Sequence, residues 1–140
     1  MEHCIVYFSS WTEPFQEEDL STVLKQSRQN NNKTGITGVI LYVRGNVIQV
    51  LEGEKEAINT LYERIERDQR HTNVIPVLNR PIAQRLFAAW SMGYETITTR
   101  QLEEIKTILD LDSNETSSTP SGNHIILKTI KVFYESNRYN

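Results

Sequence analysis

Two polar side chains stand inside short, otherwise apolar stretches of the sequence. Gln49 lies between Val47 and Leu51 at alternate positions of a β-rich run, and Tyr7 stands in step with Ile5 in another. Because alternate residues of a strand share one face, both side chains are predicted to point into a core. A buried amide left unpaired costs about 1–3 kcal/mol, so Gln49 must find hydrogen-bond partners. On these two residues alone, the favoured interpretation is a satisfied structural Tyr–Gln pair.

A second group of polar residues stands near the ends of two predicted helices. Asn30, Asn31 and Asn32 close the first helix, where an αL asparagine cap and turn propensity account for two of the three. Arg64 and Asp68 are one helical turn apart near the end of the second helix, a spacing typical of a surface ion pair. Neither pattern by itself distinguishes a structural role from a binding role.

The common catalytic and metal-binding patterns are absent from the sequence. It has no Gly-x-Ser-x-Gly elbow, no phosphate loop and no dinucleotide fingerprint after a strand. His3, His71 and His124 lack the spacing of metal ligands, so we expect no metal site. Glu52 and Glu54 stand where a helix is predicted to begin, and the helix dipole and solvation explain acidic residues there.

Composition excludes several classes of protein. The 140 residues carry fifteen basic and eighteen acidic side chains, and this weak acidic excess does not indicate binding to nucleic acid or anionic lipid. Cys4 is the single cysteine, so no intramolecular disulfide can form. The N-terminus does not show the basic region and apolar run of a signal peptide, so we expect none, and no apolar run approaches the ~18 residues of a membrane span. We expect a cytoplasmic protein that binds neither membranes nor nucleic acid.

The elements that must position the polar residues follow the order β-α-β-β-α-β. The predicted strands are 3–9, 37–43, 46–51 and 74–82, with a fifth strand at Trp90-Ser91-Met92. The first predicted helix begins at Glu17 and is ended by the asparagine run 30–32 with Gly35, and the second covers 57–65. This order is the ferredoxin-like pattern, an α+β fold with two helices on one face of a sheet whose first and third strands are neighbours. Pro76 suggests that the fourth strand is an edge strand or contains a bulge.

Residues 99–140 are predicted to form a C-terminal helical tail behind a compact domain of residues 1–98. Helical patterns at 99–111 and 125–134 are joined by a polar Ser/Thr/Pro/Gly loop at 113–123. The second helix has an apolar stripe of Ile126, Ile130, Phe133 and Tyr134. Such a stripe needs burial, either on the chain's own sheet or in an interface between molecules.

Several short motifs occur together along the chain. They are Tyr7-Phe8-Ser9, Asn31, Gly35-Ile36-Thr37-Gly38, Gln49-Val50-Leu51-Glu52-Gly53, Arg64, Asp68-Gln69-Arg70-His71 and Trp90-Ser91-Met92. In this order and spacing, over about residues 2–95, they resemble the BLUF family, the flavin-binding blue-light sensor domains. One departure is that Val47 and Ile48 stand where many members carry aromatic side chains, which can alter the packing of the pocket.

The resemblance implies FAD held non-covalently between the two helices, with FMN or riboflavin as alternatives. It implies that Tyr7 donates an electron and a proton to the excited flavin, and that rearrangement of the Gln49 amide gives a red-shifted signalling state. The other cofactor contacts it implies are Ser27, Asn30, Asn31, Arg64, Asp68 and His71. Trp90 and Met92 resemble the pair that relays the change into the fifth strand.

The resemblance to short stand-alone members also implies a photoreceptor without catalytic turnover. The expected partners are a second copy of the chain, in at least a dimer, and an unidentified downstream protein. An interpretation of a different class is a ferredoxin-like interaction module, or a small monooxygenase-like dimer, that binds no flavin. In that case Tyr7 and Gln49 belong only to the core.

Overall fold

The computed structural model of the chain describes residues 2–11, 17–68, 71–114 and 120–138. The elements in chain order are β1 (Glu2–Trp11), α1 (Glu17–Thr34), β2 (Thr37–Val43), β3 (Asn46–Glu54), α2 (Lys55–Arg67), β4 (His71–Pro81), β5 (Gly93–Thr96), α3 (Thr99–Asn114) and α4 (Pro120–Arg138). The first six have the order β-α-β-β-α-β, as the sequence predicts.

The strands form one mixed sheet in the order β4-β1-β3-β2-β5. The first and third strands are antiparallel neighbours, and their register sets Tyr7 directly opposite Gln49. β4 is an edge strand, and its pairing with β1 shifts register between Leu78 and Pro76, so the inference drawn from that proline is confirmed. The α+β fold is confirmed, with β5 added parallel to β2 at the other edge.

The end of α1 differs from the prediction of an asparagine cap. Asn30, Asn31 and Asn32 all lie inside the helix, which continues to Thr34. Gly35 takes the positive φ of 73° that ends the helix, and the Ile36 N–H donates to the Asn31 carbonyl at 3.0 Å. This arrangement is the helix-ending motif in which glycine occupies the left-handed position. Capping therefore does not explain the asparagines.

Two further segments differ from the predictions in their type of structure. Trp90-Ser91-Met92 is not a strand but precedes β5, because side chains of α1 hold the Ser91 and Met92 carbonyls. The Trp90 carbonyl accepts from the Gly38 N–H of β2 at 3.0 Å. α4 begins at Pro120, inside the segment 113–123 predicted as a loop; proline is well suited to a first helical turn because it lacks the N–H that would be unpaired there. Residues 115–119 lie outside the described residues.

The sheet buries both of its faces. On the first face, which we call the cavity face, Tyr7 and Leu51 pack with Leu24 of α1 and Ile58 of α2. On the second face, the tail face, the sheet packs against α3 and α4, and this core contains Ile126, Ile130 and Tyr134 with the partly buried Phe133 against it. The apolar stripe of the tail is therefore buried on the chain's own sheet. A domain boundary at residue 98 stays a prediction.

Candidate functional site

A cavity lies on the cavity face, between α1, α2 and the sheet. Its walls include six of the predicted cofactor-binding residues: Ser27, Asn30, Asn31, Gln49, Arg64 and Asp68. They come from the last two turns of α1, the middle of β3 and the end of α2. The fold thus brings to one place residues that are spread over some forty positions of sequence. That they contact a cofactor stays a prediction.

A chain of hydrogen bonds runs along the sheet side of this cavity. The Tyr7 hydroxyl donates to Oε1 of Gln49. At its other end, the Gln49 amide nitrogen contacts the Met92 sulfur at 3.4 Å, so both ends of the amide are engaged. Burial, aided by Tyr62 and Asp68, raises the pKa of Tyr7 well above its ordinary value. The phenol is therefore neutral and donates its proton toward Gln49.

The last turns of α1 hold the segment that carries Met92. Asn31, which is buried, donates from its amide nitrogen to the Ser91 carbonyl at 2.6 Å, and Asn32 accepts from the Ser91 hydroxyl at 2.7 Å. The Arg28 Nε donates to the Met92 carbonyl at 3.0 Å. Asn31 uses one of its two side-chain amide hydrogens in this way, so the second hydrogen and the side-chain amide oxygen remain for another partner.

The walls of the cavity differ in polarity from side to side. Gln49, Asn31 and Ser27 supply amide and hydroxyl groups, while aliphatic side chains, among them Ile40 and Leu61, supply an apolar wall. A flavin ring has the same division, with a polar pyrimidine edge and an apolar benzenoid edge. The donor set and the apolar wall therefore fit a flavin.

The structure describes only some of the predicted charged residues, and only one of the two positions that depart from the family pattern lies at the cavity. Arg64 and Asp68 both line the cavity at the end of α2. Of the Asp68-Gln69-Arg70-His71 motif, Gln69, Arg70 and the His71 side chain lie outside the described part of the chain. Of the two positions that depart from the family pattern, Val47 lines the cavity, whereas Ile48 is buried in the core on the tail face. Only the first of these substitutions can alter the cavity wall.

Trp90 and Met92 lie on opposite faces of the sheet. Met92 is buried beside Gln49 on the cavity face. Trp90 packs on the tail face, edge-on to Tyr134 of α4 with ring centroids 4.9 Å apart and beside Phe87 at 6.4 Å. In this structure Met92, not Trp90, is the inward residue of the pair.

Glu52 is a buried residue whose environment the sequence interpretation missed. It is a strand residue on the tail face, and its carboxylate accepts from the backbone N–H groups of Leu86 and Phe87. Burial raises its pKa, and the two backbone hydrogen bonds oppose that change. The prediction that solvation at a helix start explains it is wrong. Strand alternation with Ile48 and Val50 was the available signal.

Among the described residues, no helix is long and apolar enough to cross a membrane. The described part of the chain also contains no group of three His, Cys, Asp or Glu side chains placed to hold a metal ion.

Known proteins resemble this chain in sequence and in structure. The family model of BLUF, described as sensors of blue-light using FAD, matches residues 3–93. Subunit beta of the photoactivated adenylate cyclase of Euglena longa is 39% identical over 93 residues, which are 66% of this chain and 11% of that protein. The chain thus spans about a tenth of the length of the curated relatives it matches.

The similar solved structures include two for which the superposition covers more than nine tenths of both chains. The photo-activated state of BlsA superposes with a TM-score of 0.69 and 30% identity, covering 98% of this chain and 94% of that one. The dark-state structure of BlrB, a BLUF protein, superposes with a TM-score of 0.70 and 27% identity, covering 92% of this chain and 94% of that one. Both likenesses extend over α3 and α4 as well as the sheet.

Proposed function

This chain belongs to the BLUF family, the sensors of blue light using FAD, and we propose that Tyr7 and Gln49 carry out its light response. The observation that supports the proposal is the continuous contact from the Tyr7 hydroxyl through the Gln49 amide to the Met92 sulfur, at the wall of the cavity. A simple core pair would not need to open onto a cavity lined by further amides.

FAD, when bound, supplies the blue-light absorption and accepts an electron. Tyr7 is suited to donate that electron, because its hydroxyl proton already points at Gln49 Oε1 and can move along the same hydrogen bond. Gln49 has a donor end and an acceptor end, so rotation or a change of tautomer exchanges what it presents to Tyr7 and to the cavity. That exchange is the proposed basis of the red-shifted signalling state.

The remaining cavity residues are proposed to hold the cofactor. Asn31 presents its second amide hydrogen and its side-chain amide oxygen to the polar edge of the ring, and Asn30 and Ser27 line the same cavity. Arg64 and Asp68 contact the far edge or the ribityl chain. Because contacts of this kind recognise the ring, FMN or riboflavin would be held by the same residues.

We propose that the output is a change in binding to another protein. The relative in Euglena longa is a subunit of a photoactivated adenylate cyclase, in which the matching region is a small part of a much longer chain. We expect this chain to act as a sensor without catalytic turnover, in the cytoplasm, as a homo-oligomer that changes its affinity for a downstream protein under blue light.

The experiment is an absorption spectrum of the purified chain before, during and after blue light. We expect a yellow protein whose flavin bands shift reversibly to longer wavelength. Tyr7→Phe should keep the flavin and abolish the shift, because the proton and electron source is removed and the ring packing survives. Tyr62→Phe is a matched control: its ring lies 5.5 Å from that of Tyr7, and its hydroxyl has no hydrogen-bond partner among the described residues.

Two results would overturn the proposal. A colourless chain that does not take up FAD on reconstitution would support the interaction module without flavin. A Tyr7→Phe protein that still forms the same red-shifted state would remove Tyr7 from the mechanism.

A further inference from the structure

Residues 85–92, which we call the crossing segment, pass from the tail face to the cavity face of the sheet. Phe87, near the beginning, is buried in the core of the tail face, and Met92, at the end, is buried beside Gln49 on the cavity face. The Met92 end is held by α1, through Arg28 and Asn31. The position of Met92 therefore also depends on what holds the beginning of the segment.

Glu52 holds the beginning of the crossing segment. Its Oε2 accepts from the Leu86 N–H at 2.7 Å, and its Oε1 accepts from the Phe87 N–H at 3.0 Å and from the Thr37 hydroxyl at 3.1 Å. The residue is 1% exposed, so water does not compete for these bonds. Hydrogen bonds to an ionised carboxylate are stronger than those between neutral groups.

Arg85 ties the same point to two other elements. Its guanidinium donates to the Gly35 carbonyl at the end of α1, at 2.6 Å, and pairs with Glu2 of β1 at 2.9 Å. It also donates to the Thr37 hydroxyl at 3.3 Å, so Thr37 lies between the guanidinium and the Glu52 carboxylate. The beginning of the segment is fixed to β1, β3 and α1 at once.

Glu52 and Gln49 belong to the same strand, three residues apart, so their side chains lie on opposite faces. β3 therefore contacts the crossing segment twice: Glu52 holds its beginning, and Gln49 contacts Met92 at its end. We propose that Glu52 is a positioning residue of the light response, which sets where Met92 stands against Gln49 and opposes its displacement. The photochemical part of this inference rests on the proposed function, and the placement of Met92 does not.

The test variant is Glu52→Gln, which keeps the shape of the side chain and one acceptor. Its amide nitrogen would face the Leu86 N–H or the Phe87 N–H, so one of the two backbone bonds is lost. Glu54→Gln is the matched control, because Glu54 is an exposed carboxylate two residues along the same strand. Both variants remove one negative charge, and only the first alters the hold on the segment.

The position of Met92 can be read without any flavin. The chain contains two methionines, Met1 and Met92, so carbon-13 labelling of methionine methyl groups gives an NMR spectrum in which Met92 is easily assigned. In Glu52→Gln, in the dark, we expect the Met92 resonance to shift and broaden. In Glu54→Gln we expect it to keep the parent position. An unshifted Met92 resonance in a folded Glu52→Gln protein would overturn the inference.

The light response gives a second, independent readout. In Glu52→Gln the beginning of the crossing segment is held less firmly, so a Met92 side chain that has moved away from Gln49 is drawn back less strongly. The red-shifted state of this variant should therefore return to the dark state severalfold more slowly. A parent-like return, with only a lower midpoint of thermal unfolding, would show that Glu52 merely supports the fold.

Two further results distinguish a failure of the proposed function from a failure of the inference about Glu52. If the parent chain shows no light response, the proposed function fails, and the Met92 resonance still decides the role of Glu52. If Glu52→Gln does not fold, Thr37→Val removes one donor to the same carboxylate and its link to Arg85, and an unshifted Met92 resonance in that variant would overturn the inference.

Discussion

The two faces of the sheet are built from the same strands but have different contents. Apart from the buried carboxylate of Glu52, the tail face is an apolar core, in which Leu41 of the sheet packs with Ile105 of α3 and Ile130 of α4. The cavity face has the apolar residues of α1 and α2 at its sides but opens around Gln49 and Asn31 into a cavity. One face is packed to hold the fold together, and the other leaves space.

The two faces indicate where a small protein can keep polar groups. A cavity lined by amides contributes little to stability, so the other face must supply most of the burial that stabilises the fold. The comparison predicts a separation of effects: substitutions on the cavity face should change the light response, and substitutions on the tail face should change stability. The crossing segment, which contacts both, is the exception.

Gln49→Leu should have the largest effect on the light response. It removes both the donor and the acceptor end of the amide while keeping the approximate volume, so the persistent red-shifted state should be lost completely. The fold should tolerate the change, because a buried polar group replaced by an apolar one of similar shape is often nearly neutral. Difference absorption spectra under blue light measure the loss, and thermal unfolding checks the fold.

Gln101→Leu is the matched control on the tail side of the molecule. The Gln101 amide also has both ends engaged, since its oxygen accepts from the Thr98 N–H at 3.0 Å and its nitrogen donates to Asn137 at 3.3 Å. We expect this variant to lose about 1 kcal/mol of stability and to keep the parent photocycle. A Gln49→Leu protein that shows the same reversible red shift as the parent would show that Gln49 is only a core residue.

The structural features that could be predicted from the sequence are those that depend on residues close together along the chain. Strand alternation correctly places Tyr7 and Gln49 on one face, and helix periodicity correctly predicts burial of Ile126 and Ile130. The ferredoxin-like order of elements then makes β1 and β3 neighbours, which brings the phenol to the amide.

The features that could not be predicted from the sequence are set by contacts between distant residues. Asn31 and Ser91 are sixty positions apart, and no local pattern pairs them. The same holds for Glu52 and the backbone of Leu86, which are thirty-four positions apart. Trp90-Ser91-Met92 reads as a strand locally, but side chains of α1 take up the Ser91 and Met92 carbonyls, so the segment is not a strand. Local propensity does not contain this information.

Ile130→Ala tests the prediction that substitutions on the tail face change stability. Ile130 is fully buried on the tail face, so the lost burial and the remaining cavity should lower the free energy of unfolding by about 2–5 kcal/mol. Urea unfolding of the dark protein measures this change. The size of the light-induced shift in the protein that remains folded should equal that of the parent, because Ile130 is not at the cavity.

Val132→Ala is the control for that variant. Val132 lies on the same helix but is 55% exposed, so we expect a change within about 0.5 kcal/mol. Equal destabilisation by the two variants would contradict burial of this stripe on the chain's own sheet.

Asn31→Ala should have a smaller effect, on retention of the flavin. The cofactor would lose a hydrogen bond worth about 1 kcal/mol, which corresponds to roughly a fivefold weaker affinity. Flavin occupancy after gel filtration measures it. Asn32→Ala is the control, because Asn32 is exposed and also bonds to Ser91 but does not line the cavity. Equal flavin loss in both variants would assign the effect to the hold on Ser91 instead.

The smallest expected effect is a pH dependence of stability that comes from Glu52. Burial raises the pKa of this carboxyl above its ordinary value of 4.5, against the opposing effect of its hydrogen bonds and of Arg85. The folded chain therefore binds more protons than the unfolded chain at pH values between 4.5 and the raised value. It follows that this group makes the fold more stable as the pH falls through the raised pKa, and that the gain is complete once the pH is below 4.5.

The chain carries eighteen acidic residues, so the contribution of Glu52 must be measured as a difference between proteins. The free energy of unfolding of the parent minus that of Glu52→Gln should rise as the pH is lowered through this window, because only the parent has the titrating group. If the Glu52→Gln difference fell as the pH was lowered, the charged carboxylate would be the form that the folded state favours, and its hydrogen bonds to Leu86 and Phe87 would outweigh the effect of burial.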